Sequence, residues 1–457
     1  MEKHKRIGYS RIALVFFLAL GVAITVPGAF NSFHMVKFYS YRTLMMLKYV
    51  WLVFVPYSFI ALAAMLRNPR RDFDLEKIEQ RGNYTVIFQI TTRGLEIDAV
   101  KRSVNSVLFW APKYLKKFEV WIVTEEDIPE ENRRFFEEIS QDDHVRVLYV
   151  PRDFRTPRGT MYKARALCYA AKVRELEGLA RSDVWVYLMD EESVVGEDTV
   201  LSIIEFVERY APRGKLVAQG MIVYPNFWGR NIFTSIADIS RIVQDITLYR
   251  LQFTYGRPFL AVHGSHLLVR ADVEKEVGWD FGPVRAEDLI FGLVVAKRFG
   301  RVWGWLRGKL YEQSPFTLKD YAKQRRRWMW GLMDVVRCSD VALRDRILVA
   351  FNIASWLLAI PSIAISVINV FIPTPLPHPW LAIPLGLALG VGMYTYLVSC
   401  NIAFTAAGID GRWEKLKHLV LAVMLAIPIT IAECSMVWYA LLTYHRSRRV
   451  GFELIKK

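Results

Sequence analysis

The distribution of apolar positions divides the chain into membrane-like ends and an alternating centre. Residues 12–30 and 44–66 are nearly continuous apolar runs, each about as long as the ~20 residues that span a bilayer. Three more lie towards the end, over 347–371, 381–407 and 419–444. A basic stretch followed by an apolar run (Lys3, Lys5, Arg6 and Arg11 ahead of residue 12) also opens a secretory signal, but no small-residue cleavage site follows and the second run comes soon after. The two runs therefore read as a transmembrane hairpin. Its basic flanks, the N-terminus and Arg67, Arg70 and Arg71, fall on the side of the membrane that would be cytoplasmic.

The three C-terminal runs conflict with that rule. The link from Pro373 to Pro379 carries no Lys or Arg, whereas Arg412, Lys415 and Lys417, and then Arg446, Arg448 and Arg449, are basic. If all three runs cross, the basic tail lies on the wrong side. Five apolar segments with four or five crossings are expected, and the last is the one to lie in or re-enter the interface, because it contains Pro428 and Glu433.

From about residue 80 short strand patterns alternate with helical ones, as in a doubly wound α/β domain. Strands are expected at 84–90, 118–123, 145–150, 184–190 and 215–223, with helices near 97–109, 197–210 and from 285 to about 299. Residues 259–270 read as loop and strand. Thr317-Leu318-Lys319-Asp320 has the look of a capped helix start and leads into Gln324-Arg325-Arg326-Arg327-Trp328-Met329-Trp330. Mixed rings and cations just ahead of an apolar run predict a helix in the membrane interface, rings towards lipid and cations towards headgroups. The expected organisation is a hairpin over 1–72, an α/β domain over 80–315, an interface helix over 316–340, a membrane region over 345–445 and a basic tail over 446–457.

Composition sharpens this division. The 457 residues are 53% hydrophobic, and 60 Lys and Arg against 45 Asp and Glu give a net charge of +15. A mean hydropathy of +0.19 beside 23% charged residues fits one chain in two solvents. The excess of cations fits anionic lipid or a sugar-nucleotide diphosphate as well as nucleic acid. Four dispersed cysteines with no C-x-x-C argue against a disulfide framework or a zinc knuckle. His263 and His266 sit in loop and strand and lack the further ligands that zinc takes.

The candidate chemistry collects at strand ends. Val184 to Met189 is an apolar strand that delivers Asp190 and Glu192 on one tight turn, and ligands of open α/β sheets bind at that edge. Carboxylates suit Mg²⁺ or Mn²⁺, which shares its remaining positions with substrate phosphates. Alone, Asp-x-Glu is more often a solvated turn, Glu287-Asp288 an acidic helix start, and Lys163 and Arg165 a solvated face. Together, in order along one domain, they ask for a common explanation.

That order resembles the membrane-bound family 2 glycosyltransferases, which include the cellulose, chitin and hyaluronan synthases. The resemblance covers about residues 80–335 and is carried by Lys163-Ala-Arg-Ala-Leu167, Asp190-Glu-Glu192, Ala286-Glu287-Asp288 and Gln324-x-x-Arg327-Trp328. These stand where the family has a Lys-Ala-x-Ala-Leu-type loop, Asp-x-Asp, Thr-Glu-Asp and Gln-x-x-Arg-Trp. Within the family they look most like the egghead-type β-1,4-mannosyltransferases. The resemblance implies a glycosyltransferase-A type, Rossmann-like domain with a mixed sheet, inserted between transmembrane helices. It implies a Mn²⁺ or Mg²⁺ ion on Asp190 and Glu192, and Asp288, with Glu287 beside it, as the base that takes the acceptor proton. One base and no enzyme nucleophile would invert the anomeric centre. Lys163, Arg165, Gln324 and Arg327 are expected around the donor diphosphate, and Thr91, Arg93 and Glu125 around the nucleoside. The family often has Asp-Asp-Gly-Ser there, where this chain has Thr124-Glu125-Glu126-Asp127. Trp328 is expected against a sugar face, and His263, Gly264 and Ser265 near the acceptor.

The resulting expectation is an integral, multi-pass membrane enzyme with its catalytic domain on the cytoplasmic side. It would move a hexose, GDP-mannose being the favoured donor, onto a lipid-linked or glycolipid acceptor in β-1,4 linkage, without nucleic acid as a partner. The same chemistry would serve a UDP-sugar polysaccharide synthase, although few apolar segments remain to line a polymer channel. An inactive membrane scaffold or transporter is the reading from another class. It would be expected to have lost at least one of Asp190, Asp288 and Arg327, and all three are present.

Overall fold

The structure is a computed structural model, and it describes residues 10–30, 39–67, 75–226 and 230–447. The basic flanks at Lys3, Lys5, Arg6, Arg70 and Arg71, and Arg448 and Arg449 of the tail, lie outside the described residues.

At the centre is one eight-stranded mixed sheet in the order β3-β2-β1-β4-β7-β6-β8-β5. Its strands are β1 (Thr85–Thr91), β2 (Phe118–Glu125), β3 (Val145–Val150), β4 (Val184–Asp190), β5 (Val194–Val195), β6 (Val217–Asn226), β7 (Leu267–Arg270) and β8 (Trp303–Gln313). β1 to β4 are mutually parallel, β7 runs antiparallel to both β4 and β6, and β8 is parallel to β6. This is the mixed, glycosyltransferase-A-like sheet anticipated, with long apolar helices before and after it. A strand buried on both faces reads as a continuous apolar run, and β4 shows why. Val184, Val186 and Leu188 enter one core layer, while Trp185, Tyr187 and Met189 enter the other.

Register places the candidate chemistry. Thr91 pairs with Asp190 on one side and Val123 on the other, so the carboxyl ends of β1, β2 and β4 share an edge. The Tyr162–Leu176 and Glu287–Phe299 helices follow loops at this edge. β8 has no counterpart among the expected strands, because Arg307, Gly308 and Lys309 interrupt its apolar pattern. Nor do the Glu130–Ile139 helix and the run of short helical turns from Ile232 to Tyr255.

All five expected apolar segments contribute helices. Arg42–Leu66, Leu343–Phe371, Pro379–Ala406 and Arg412–Arg446 are long and apolar enough to cross a membrane, and Arg11–Val26 is a shorter apolar helix. They mark an integral, multi-pass membrane protein. The Arg11–Phe30 helix packs antiparallel on Ala382–Ala406 with backbones in contact. A β-carbon at Gly21 would fall 2.1 Å from the Gly386 carbonyl oxygen, and one at Gly390 2.2 Å from that of Phe17. Thr25 donates to the Ala382 carbonyl at 2.7 Å across the same seam. Small residues of this kind let apolar helices associate where no hydrophobic force separates them from lipid.

Candidate active site

Four of the expected residues meet at the β4 edge. The Tyr162–Leu176 helix carries Lys163 in its first turn, and its ammonium forms an ion pair with Asp190 and donates to the Gly264 carbonyl at 2.7 Å. Gly264 lies against Asp288: a β-carbon there would stand 3.1 Å from a carboxylate oxygen of Asp288 and 3.3 Å from the Lys163 ammonium. Any side chain at 264 would push into the gap between the cation and the acid. Asp288 opens the Glu287–Phe299 helix, and its own side chain accepts from the Leu289 amide at 2.8 Å. Arg327, from the Leu318–Arg337 helix, is close enough for its charge to act on Glu287. Asp190, Asp288 and Arg327 therefore belong to one neighbourhood.

The electrostatics are those of crowded acid with too little cation. Burial first, and then the neighbouring charge of Asp288, raises the Glu287 carboxyl above its usual range. Burial likewise raises Asp288, with Asp190 adding to it, against the pull of the Leu289 amide, Lys163 and His263. Burial works against the Lys163 ammonium, but Asp190, Glu287 and Asp288 outweigh it and hold the cation above its ordinary value. Glu191 is pushed up to about 7 by burial and by Glu192, while accepting a hydrogen bond from Thr92. Perturbed groups clustered in this way are what active sites are built from.

Asp190 and Glu192 fit a hard divalent ion in part. Their oxygens are the ligands it takes, and Asp190 stays one-third exposed beside Lys163. Among the described residues no three His, Cys, Asp or Glu side chains converge on a metal position. Such an ion would take only a partial set of ligands from these side chains and the rest from substrate oxygens.

The other expected residues fall into place unevenly. At the ends of β1 and β2, Arg165 and Glu125 form an ion pair at 2.5 Å, and Arg165 also holds the Pro151 and Phe154 carbonyls. Arg165 thus ties the ends of β2 and β3 together and is itself charge-compensated. Thr91 presents a buried hydroxyl with no hydrogen-bond partner among the described residues at the register position of Asp190, and Arg93 is exposed on the loop beyond. His263 does not reach out alone. Its Nε2 meets the buried Asp245 carboxylate at 2.7 Å and its ring stacks on Tyr249 with centroids 4.1 Å apart. The side-chain amide of Gln219 accepts from the His263 amide at 2.9 Å and donates to the His263 and Ser265 carbonyls. The loop carrying Gly264 is fixed from both sides. His266 belongs to the core, between the Tyr187 hydroxyl at 2.7 Å and the Gly308 carbonyl at 3.0 Å. Burial lowers it to about 4, so it is neutral.

The Gln-x-x-Arg-Trp helix departs from its expected pose. Gln324, Arg325 and Trp330 are buried in protein, not turned to headgroups. Arg325 donates to Gln324 at 2.7 Å, to Asp238 at 3.0 Å and to Glu433 at 2.8 Å. The Trp328 ring, expected to face a sugar, has the Arg241 and Arg325 guanidiniums 4.5 and 4.4 Å from its centroid. Its neighbours here are cations, each such contact contributing roughly 0.5–2 kcal/mol.

Two further residues of the site carried no signal in the sequence. Glu312, buried at the end of β8, accepts hydroxyl hydrogen bonds from Ser193 of the turn after β4 at 3.2 Å and from Ser265 of the loop before β7. It joins the two loops on which Asp190 and Gly264 sit. Asp245, in the segment between β6 and β7, sets the His263 ring. Neither stands next to a motif residue in the chain, so only the folded sheet brings them in.

A mixed sheet with acids at one edge and a Gln-x-x-Arg-Trp helix against it defines a class, and comparison agrees. Residues 185–441 match the family described as Glycosyl transferase family group 2, and the chain belongs to it. Among curated relatives it is 30% identical over 301 residues to the β-1,4-mannosyltransferase egh of Drosophila melanogaster, covering 64% of this chain and 62% of that protein. It is 31% identical over 258 residues to the β-1,4-mannosyltransferases bre-3 of Caenorhabditis briggsae and Caenorhabditis elegans, covering 55% of each chain. The match therefore spans a little over half the length of these relatives. A solved mannosyltransferase from Pyrobaculum calidifontis, in complex with GDP-Man and Mn²⁺, aligns with a TM-score of 0.47 at 13% identity, over 88% of this chain and 99% of that one.

Proposed function

We propose that this chain transfers mannose from GDP-mannose to a lipid-linked or glycolipid acceptor, forming a β-1,4 linkage with inversion, from a catalytic domain on the cytoplasmic face of the membrane. The observation that carries the reading is the Lys163 ammonium joining Asp190 to the Gly264 carbonyl, with Asp288 beside it. Phosphate, metal-binding acid and base all belong within one sugar's reach of such a point. The mannose and the linkage follow from the names of the curated relatives, and the lipid acceptor from the apolar helices around the domain.

In this mechanism Lys163 and Arg327 face the donor diphosphate and offset the charge that grows on it as the glycosidic bond breaks. A Mn²⁺ or Mg²⁺ ion on Asp190 and Glu192, when bound, adds electrostatic stabilisation of the same leaving group. Asp288 accepts the acceptor hydroxyl's proton as that oxygen attacks the anomeric carbon from the opposite face. Glu287 tunes that base through its charge. Gln219 and Glu312 hold the His263-Gly264-Ser265 loop that borders the acceptor, and Thr91, Arg93, Glu125 and Arg165 frame the nucleoside end. Gln324 and Trp328 share the helix face that carries Arg327, with Gln324 bonded to Arg325 and the Trp328 ring set by the Arg241 and Arg325 guanidiniums.

The test is transfer by purified protein to a glycolipid acceptor, with product linkage read by glycosidase digestion and NMR. A β-mannosidase-sensitive product supports the reading. An α-linked product, or long polymer retained in vesicles, would replace it with another.

A further inference from the structure

The Arg412–Thr443 helix has 32 residues, which at ~1.5 Å each make about 48 Å, ample for a hydrocarbon core of ~30 Å. A crossing helix would put its ends on opposite sides. Here both ends touch the sheet domain's side. Just ahead of its start, Ile409 is buried in the same apolar cluster as Met221 and Val223 of β6, and the His418 ring lies 5.8 Å from that of Phe404, near the end of the Pro379–Ala406 helix, which itself packs on β6. At its far end, the Tyr444 hydroxyl donates to Asp334 at 2.6 Å and Arg285 donates to the Ser447 carbonyl.

Its second half stays with the domain as well, while the helix also bonds two other apolar helices: the Tyr396 hydroxyl donates to the Ala422 carbonyl and the Trp438 indole to the Leu357 carbonyl. Glu433 meets Arg325 at 2.8 Å, and the Trp330 indole donates to the Ala440 carbonyl at 2.9 Å. The partners 325, 330 and 334 rise with 433, 440 and 444, so the helix runs alongside Leu318–Arg337 for its second half. The opposite membrane face is marked elsewhere: Lys48 donates to the Thr374 carbonyl and Trp51 to that of Ser362. Among the described residues these four make no hydrogen bond or ion pair to the last helix, whereas the domain does so repeatedly.

We propose that the Arg412–Thr443 helix does not cross the membrane but lies along the leaflet on the sheet domain's side. Its outward face, with Val420, Val423, Met424, Ile427, Ile431 and Leu442 exposed, is the part that enters lipid. Arg412, Lys415 and Lys417 at one end and Arg446 at the other then meet the same anionic headgroups. Four helices remain to cross, Arg11–Phe30, Arg42–Leu66, Leu343–Phe371 and Pro379–Ala406, an even number that returns the chain to its starting side. The conflict between the uncharged 373–379 link and the basic tail disappears. Glu433, which would be a costly charge inside a crossing helix, becomes an interfacial acid held by Arg325.

The test uses the full chain with a C-terminal epitope tag in sealed vesicles whose sheet domain faces outward. Added protease should remove the tag as readily as it cuts the sheet domain, while a Pro375→Cys marker in an otherwise cysteine-free chain stays closed to impermeant maleimide. A tag protected until detergent is added overturns the proposal. Depth gives a second reading: a fluorophore on Met424→Cys should be quenched more by lipid labelled near the headgroup than by lipid labelled at the chain end. The reverse order contradicts it. Neither reading depends on which sugar is moved.

Discussion

Two charged clusters lie close together in this molecule, built from the same residue types and behaving in opposite ways. At the β4 edge, Asp190, Glu287 and Asp288 crowd one lysine, and Glu287 and Asp288 are held above their ordinary range. At the membrane side, Asp238 and Glu433 face Arg241 and Arg325, two acids against two cations. The first cluster is partly open and carries excess negative charge, and needs a cation and a substrate to balance it. The second is closed and nearly balanced, and it fixes the helix that bears Gln324, Arg327 and Trp328. Burial of charge thus means chemistry in one place and positioning in the other, and charge balance tells them apart.

The largest effect should come from the open cluster. Asp288→Asn removes the proposed base, and transfer should fall about 10²–10⁴-fold while nucleotide binding, followed by titration, changes little. Loss of nucleotide binding in this variant would mean that Asp288 serves the donor instead. In the closed cluster, Glu433→Ala leaves Arg325 with less than its share of negative charge. Breaking such a buried pair costs up to about 3–5 kcal/mol, and a melting experiment in detergent should show the drop, with Glu433→Asp recovering part of it. An unchanged melting point would make that pair incidental.

Lys163→Met sharpens the contrast through pH. As the proposed base, Asp288 would work deprotonated, so transfer should rise as pH passes upward through its raised titration. The Lys163 charge pulls both Asp288 and Glu287 down. Its removal should move the acid limb of the kcat profile to higher pH, and a limb moved downward would contradict the assignment. The smallest change expected is in Trp328→Phe, which weakens contact with two guanidiniums and should cost at most about 2 kcal/mol in stability. A rise in acceptor KM well beyond that, at constant donor KM, would show that the ring also meets the acceptor.

The sequence showed most where a local pattern had one physical meaning. Val184 to Asp190 reads as a strand because both its faces are buried, and the acids that end it lie at the edge where the sheet register gathers other loop ends. Thr317 reads as a cap because its side chain accepts from the Asp320 amide, at 3.1 Å in the structure. What stayed hidden depends on distant partners. β8 alternates, but Arg307 reaches Glu205 and Lys309 reaches Asp198, so its charged positions look like a loop until those helix residues are in place. Glu312 is one acid in Tyr-Glu-Gln, and only its distant partners Ser193 and Ser265 make it tie two loops of the site. Arg325 looked like a headgroup cation; its acids come from residues 238 and 433, 87 and 108 positions away.

The central claim is that one pocket at the β4 edge binds a metal ion and a sugar nucleotide and uses them together. The most direct test is donor turnover by the purified chain over a panel of GDP- and UDP-sugars, with and without Mn²⁺ or Mg²⁺, for the wild type and Asp190→Asn. The account predicts consumption of GDP-mannose that requires the cation and is lost in the variant. Turnover that ignores both the cation and Asp190, or no turnover of any donor, would contradict it.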